Sequence, residues 1–142
     1  MKSILVLCTC LVAFAAVGQQ NKAAHEDAIK KAINAYAASG DAQDLAGLTN
    51  VLHDAYRLIW YDGAKAPFIL DKSGFVAQFE KKEWGGDSRK MQFDQILVFD
   101  EINATAKVIM DGKAAEMRSL FSLIKVEGEW FIISELVNAT FK

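Results

Sequence analysis

Ala104-Thr105-Ala106-Lys107-Val108-Ile109-Met110-Asp111-Gly112-Lys113-Ala114-Ala115-Glu116-Met117-Arg118 reads as two strands folded around Asp111-Gly112. Asp-Gly between alternating apolar positions is a strong two-residue hairpin signal, because both loop positions need positive φ. With Asp111 and Gly112 in the loop, Met110 faces Lys113, Val108 faces Ala115 and Ala106 faces Met117. On the opposite face Lys107 meets Glu116 and Thr105 meets Arg118, the first a favourable cross-strand charge pair. A second two-residue turn at Glu127-Gly128 adds Phe121, Leu123, Trp130, Ile132 and Leu136 to the first face. It adds Leu120, Ile124, Phe131, Ile133 and Val137 to the second. Both faces are then largely apolar. One can take helices, and the other calls for a partner, most economically a second copy in a homodimer.

Outward from this hairpin the period changes. Four long strands are expected over 91–102, 104–110, 113–126 and 130–141, preceded by a loop over 83–90 that holds Gly85-Gly86. Earlier, 56–61 is a short strand closed by Asp62-Gly63, and Pro67 precedes a second, Phe68-Ile69-Leu70, at an edge or in a loop. N-terminal to these, Ile29, Ala32, Ile33, Tyr36 and Ala37 recur at helical spacing, with Gly40 as the expected stop. Asp41 is the expected cap of a second helix whose inner stripe is Leu45, Leu48, Val51 and Leu52. A third helix over 73–82 turns Phe75, Val76 and Phe79 inward. Helices followed by a long antiparallel sheet give an α+β fold, with the helices packed on a curved sheet. No linker or repeat divides residues 19–142, which form one domain.

Residues 1–18 read as a secretion signal. Lys2 precedes the unbroken apolar run 4–17, and Ala16-Val17-Gly18 places small residues before a cut at Gln19. The run is shorter than the roughly 20 residues that span a bilayer. Both cysteines, Cys8 and Cys10, lie inside it, so the mature chain has no disulfide and depends on its core. The chain has 16 Lys and Arg against 18 Asp and Glu, and Lys2 leaves with the signal. This acidic balance without a basic run argues against nucleic acid or a membrane surface as partner. The expected location is periplasmic or secreted, in a bacterium.

Ala28-Ile29, Tyr36, Ser39-Gly40-Asp41, Asp44-Leu45 and Leu52-His53-Asp54-Ala55 resemble the opening of nuclear transport factor 2-like (cystatin-like cone) domains. Phe121 to Lys125, then Glu127-Gly128-Glu129-Trp130-Phe131-Ile132-Ile133, resembles their final hairpin. Within that superfamily the chain is most similar to the small exported group labelled "putative lumazine-binding". The resemblance implies a sheet curled on the first helix around an apolar pocket, commonly in a dimer. Some relatives are enzymes and others bind or scaffold. In ketosteroid isomerase the chemistry needs an Asp base and a Tyr with a protonated Asp. Alignment by Asp44-Leu45 puts Tyr36 at the tyrosine position, whereas alignment by Gly40-Asp41 puts Ile33 there. The base position falls near Trp60 and the second acid near Leu120 to Ser122, none of them carboxylates.

Of the candidate residues, His53 is suited to acid–base work because imidazole titrates near neutrality, and Asp54 and Asp62 are candidates to pair with it in a pocket or else are solvated loop carboxylates. The alternative is a histidine at a helix C-terminus that binds free carbonyls. Tyr36, Trp60, Phe93, Met117 and Trp130 are candidates to line a pocket for a flat ring, or else are plain core. Arg118 is either a clamp for an anion or a surface residue beside Glu116 and Lys107. His25 is expected at a frayed surface. Two histidines and no mature cysteine leave no basis for a metal, and no motif calls for a cofactor. The expected function is a non-catalytic exported module that binds a small apolar or aromatic ligand or serves as a scaffold. The alternative is a small isomerase, cyclase or dehydratase using His53 and Tyr36.

Overall fold

The structure, a computed structural model, describes residues 5–61 and 66–142, with side chains from residue 21 onward. The Asp62-Gly63 turn lies outside them, as do the side chains of the expected secretion signal. The elements are α1 (Leu5–Ala42), α2 (Leu45–Val51), β1 (Leu52–Trp60), β2 (Phe68–Asp71), α3 (Lys72–Glu80), β3 (Lys90–Phe99), β4 (Asn103–Asp111), β5 (Ala115–Val126) and β6 (Glu129–Phe141). Among the described residues no helix is long and apolar enough to cross a membrane.

The sheet has the order β2-β1-β6-β5-β4-β3. Every neighbouring pair is antiparallel except β1 with β6. Ile29, Ile33 and Tyr36 of α1 are buried together with Leu48, Tyr56, Phe75, Phe121, Leu123 and Ile132. That is the α+β architecture expected, with helices on one face of a curved sheet. Each fully buried side chain of this kind contributes about 1.5–3 kcal/mol against the conformational entropy lost on folding.

Helix α1 does not stop at Gly40. It continues to Ala42, and Gln43 takes the left-handed conformation instead, with φ 55°. Gly40 serves close approach: a Cβ there would lie 2.8 Å from Arg89 Nη2 and 3.3 Å from Phe79 Cε1. The cap of α2 is accordingly Asp44, not Asp41, with its carboxylate accepting from Gly47 N at 3.1 Å. Asp71 caps α3 in the same way, accepting from Gly74 N at 2.8 Å.

The β4–β5 hairpin is offset from the expected register. Asp111 pairs with Glu116, Met110 with Met117, Val108 with Ser119, Lys107 with Leu120 and Ala106 with Phe121. Gly112 N donates to Ala115 O at 3.0 Å, so Lys113 and Ala114 form the tip. Gly112 is needed for proximity rather than for the turn, because a Cβ there would overlap Asp87. The slip is four residues, an even number, so each side chain keeps the face its alternation gives it. The Lys107–Glu116 pair is lost. Lys107 lies 3.9 Å from Asp94, and Glu116 accepts from Arg118 at 2.9 Å. The Glu127-Gly128 turn is as expected, with φ of 51° and 89° and Val126 opposite Glu129.

A larger correction lies within β6. Ser122 pairs with Ser134 but Leu123 pairs with Ile132, so Ile133 is the extra residue of a bulge. Before it, Trp130 and Ile132 point inward. After it, Glu135 and Val137 do so, and Leu136, expected inside, is 47% exposed. The outer strip is therefore not the one expected. Val137 leaves it, Leu136 joins Leu120 directly opposite, and Ile124, Phe131 and Ile133 are half-buried.

Candidate functional site

The bulge opens a pocket. The ends of β5 and β6, with β1, α3 and the loop over 81–89, enclose a cavity of about 350 Å³. Leu58, Phe75, Val137 and Ala139 make its walls, and Trp60, Trp84 and Phe141 stand around its outer part. Trp60 lies 5.9 Å from Phe141 and 6.5 Å from Trp84, ring centre to ring centre. A volume of this size suits a small organic molecule, and an apolar wall with a few convergent polar groups is the usual pattern of such sites.

Its deepest polar group is Glu135, which is 1% exposed. Ser119 Oγ donates to Glu135 Oε1 at 2.5 Å, Tyr36 OH to Oε2 at 2.5 Å, and Tyr56 OH to Oε2 at 3.3 Å. Burial pushes the Glu135 carboxyl above the usual carboxylate range; the hydroxyl bonds and the Arg89 charge oppose this without cancelling it. Burial likewise pushes both tyrosines far above their ordinary value, helped in Tyr36 by the Glu135 charge, so neither ionises near neutrality. The arrangement is a buried acid held by three neutral hydroxyls, with Tyr36 and Glu135 bordering the cavity.

The rim is held by one ion pair. Arg89 Nε donates to Asp41 Oδ1 at 2.5 Å, the Arg89 backbone N donates to Oδ2 at 3.0 Å, and Nη2 donates to Ala37 O at 2.9 Å. Gly86 N donates to Asp41 O at 3.1 Å, and Gln43 Nε2 to Trp84 O at 2.9 Å. The loop that carries Trp84 is thereby tied to the end of α1. Asp87 fixes its other side by accepting from Ala114 N at 3.1 Å.

Of the residues singled out in the sequence, Tyr36, Trp60 and Met117 border the cavity. Phe93 packs half-buried on the core from β3, and Trp130 lies in the part of β6 before the bulge; neither borders it. His53 is the second residue of β1, not the end of α2. Its Nδ1 accepts from Ala55 N at 3.1 Å and its ring stands 6.3 Å from Phe131, so it does not meet Tyr36. Asp54 is bound by Lys72 at 2.9 Å instead. Asp62 lies outside the described residues. Arg118 is at the surface beside Glu116, as its outer-face reading expects. His25 is not frayed surface but 8% exposed, edge-on to Trp130 at 5.9 Å. Among the described residues no cluster of three possible metal ligands exists. The sequence reading missed Glu135. Its one sign is a lone acid within the apolar run 130–137, and unbroken alternation would have put that acid outside.

A family model described as "Putative lumazine-binding" matches residues 24–141. No curated protein matches the chain. Among solved structures, the chain is similar to a nuclear transport factor 2-like protein of unknown function from Silicibacter pomeroyi. The two are 14% identical over 84% of this chain and 98% of that one, with a TM-score of 0.74. A cystatin-like domain of unknown function from Nostoc punctiforme is also 14% identical, over 84% and 79%, with a TM-score of 0.67. A ketosteroid isomerase-like protein from Erwinia carotovora atroseptica is 14% identical over 80% and 94%, with a TM-score of 0.65. At such identities the likeness establishes the fold.

Proposed function

Because the chain belongs to the family described as "Putative lumazine-binding" and has the nuclear transport factor 2-like fold, we propose that it is an exported, non-catalytic module that holds one small molecule in the cone. The observation that carries this reading is the Glu135–Tyr36 pair at the floor of a cavity whose inner walls, Leu58, Phe75, Val137 and Ala139, are apolar. One polar anchor under apolar walls orients a ligand and does little else. As a carboxylate, Glu135 has its two oxygens already engaged by three hydroxyls, which leaves poor access for a substrate proton. Export rests on the residue 1–18 pattern. Pairing with a second copy rests on the exposed Leu120–Leu136 strip of the outer sheet face.

The test is native mass spectrometry of the exported protein with release and identification of copurifying molecules. Glu135→Gln should keep the fold while weakening retention. A second reading is favoured by the same pair: a buried carboxyl of raised pKa beside a tyrosine is equipped for proton transfer. In that case Glu135, not His53, is the acid–base group, and Glu135→Gln abolishes turnover of the released molecule while binding persists. A protein that carries no small molecule and binds none offered to it would refute both. For the dimer, sedimentation of the Leu120→Lys/Leu136→Lys variant should give a monomer; a monomeric wild type at micromolar concentration refutes pairing.

A further inference from the structure

We propose that the ligand of this cavity is an organic cation: a protonated or quaternary amine on a small apolar body. The inference rests on the cavity being a ligand site, and it names the chemistry selected there.

Two independent features point the same way. The first is ring geometry. Trp60 and Trp84 meet at 54°, Trp60 and Phe141 at 30°, and Phe75 and Trp84 at 66°, with centroids 5.9–6.5 Å apart. Trp60, Phe75, Trp84 and Phe141 all border the cavity, so a small molecule held there lies against several aromatic rings. A negative ring face attracts a cation placed over it, and the attraction grows as water is excluded. The second is charge. Among the described residues, Asp41, Glu83, Asp87 and Glu135 border the cavity, against one basic residue, Arg89. Arg89 gives its Nε to Asp41 and its Nη2 to Ala37 O, so this pair is internally neutralised. Among the described residues, Glu83, Asp87 and Glu135 form no ion pair.

A neutral apolar ligand would use the rings and gain nothing from the acids. An anion would face three carboxyls. A cation uses both features. Glu135 lies at the bottom of the same apolar pocket, where a cation would be little screened from it and would itself oppose the burial that disfavours its charged form.

The test titrates the purified protein with benzyltrimethylammonium, a quaternary cation that cannot change protonation, and with its neutral carbon isostere neopentylbenzene. Tryptophan fluorescence and calorimetry give both affinities. The cation should bind at least about tenfold more tightly than the isostere, the factor worth one favourable charge contact. Glu135→Gln should weaken the cation about tenfold and leave the isostere unchanged. The exposed Glu83→Gln, which touches no core contact, should weaken the cation by a smaller factor. If the isostere binds as tightly as the cation, or if the Gln variants affect both alike, the cation inference is overturned and the ligand cavity stands. If the cation does not bind at millimolar concentration, the cation inference is likewise overturned, and the ligand-cavity reading falls only if no molecule copurifies either.

Discussion

Replacing Glu135 with Gln changes one atom in a site where two large effects oppose each other. Taking a carboxylate out of water costs several kcal/mol even after the surroundings relax. Three hydroxyl donors return about 1.5–3 kcal/mol each when the acceptor is charged. Burial prevails here, because the side chain is 1% exposed and its nearest cation, Arg89, is already claimed by Asp41. The folded pKa is therefore above the unfolded value. Between the two, the folded state holds a proton that the unfolded state has lost, so wild-type stability falls as pH rises. The contribution is complete below the unfolded value and is lost once pH passes the folded one. Gln does not titrate. The stability of the Gln variant relative to Glu should be flat below the unfolded value, rise by up to about 1.4 kcal/mol per pH unit through this window, and then level off. Urea denaturation of both proteins from pH 4 to 9 measures the difference directly. The depressed pKa values of Asp54, paired with Lys72, and Asp71, at its cap, cancel between the two proteins. A Gln variant that loses ground as pH rises would mean that the hydroxyls win and Glu135 is a stabilised anion.

Asp41→Ala should cost about 3 kcal/mol by leaving the Arg89 guanidinium, 10% exposed, without its counter-charge. Asp41→Ala/Arg89→Met should recover at least half of that loss in a double-mutant cycle, whereas strict additivity would show that the pair is not coupled. Gly112→Ala should cost about 1–2 kcal/mol by displacing Asp87 from Ala114 N, and Gly112→Ala/Asp87→Ala should cost no more than Asp87→Ala alone. His53→Ala should change stability by at most about 1 kcal/mol and leave the affinity of any cavity ligand unchanged, since its ring accepts from the local Ala55 N–H, stands against Phe131 and does not border the cavity. A large loss of binding on that change would return His53 to the site.

What the sequence makes legible is whatever depends on local period. The Ile29-Ile33-Tyr36 stripe, the Phe75-Phe79 face and the Glu127-Gly128 turn are all written in spacing and turn chemistry, and the structure has them. Tyr36, Trp60 and Met117 reach the cavity because they lie on inward faces that alternation or helical spacing identifies. The failures share one cause. Gly40 and Gly112 read as a helix stop and a hairpin loop, because glycine supplies both. Each is instead a place where a distant side chain, Arg89 or Asp87, comes against the backbone. His25 lies under β6, and that burial comes from a strand more than a hundred residues away. Glu135 was hidden by a shift of register that leaves no compositional mark.

The bulge at Ile133 behaves as a change of reading frame for side chains. Upstream, the even-numbered residues of β6 serve the hydrophobic interior; downstream, the odd-numbered ones, Glu135, Val137, Ala139 and Phe141, furnish the pocket. A strand that took Ile133 into the regular ladder instead of bulging it out would have the same composition and the same length. Its Glu135 would point outward beside Leu120, while Leu136 and Asn138 filled the hollow. The chemistry of this pocket thus hangs on register as much as on the kinds of residue, and one and the same sequence would present opposite interiors according to whether Ile133 is paired or bulged out.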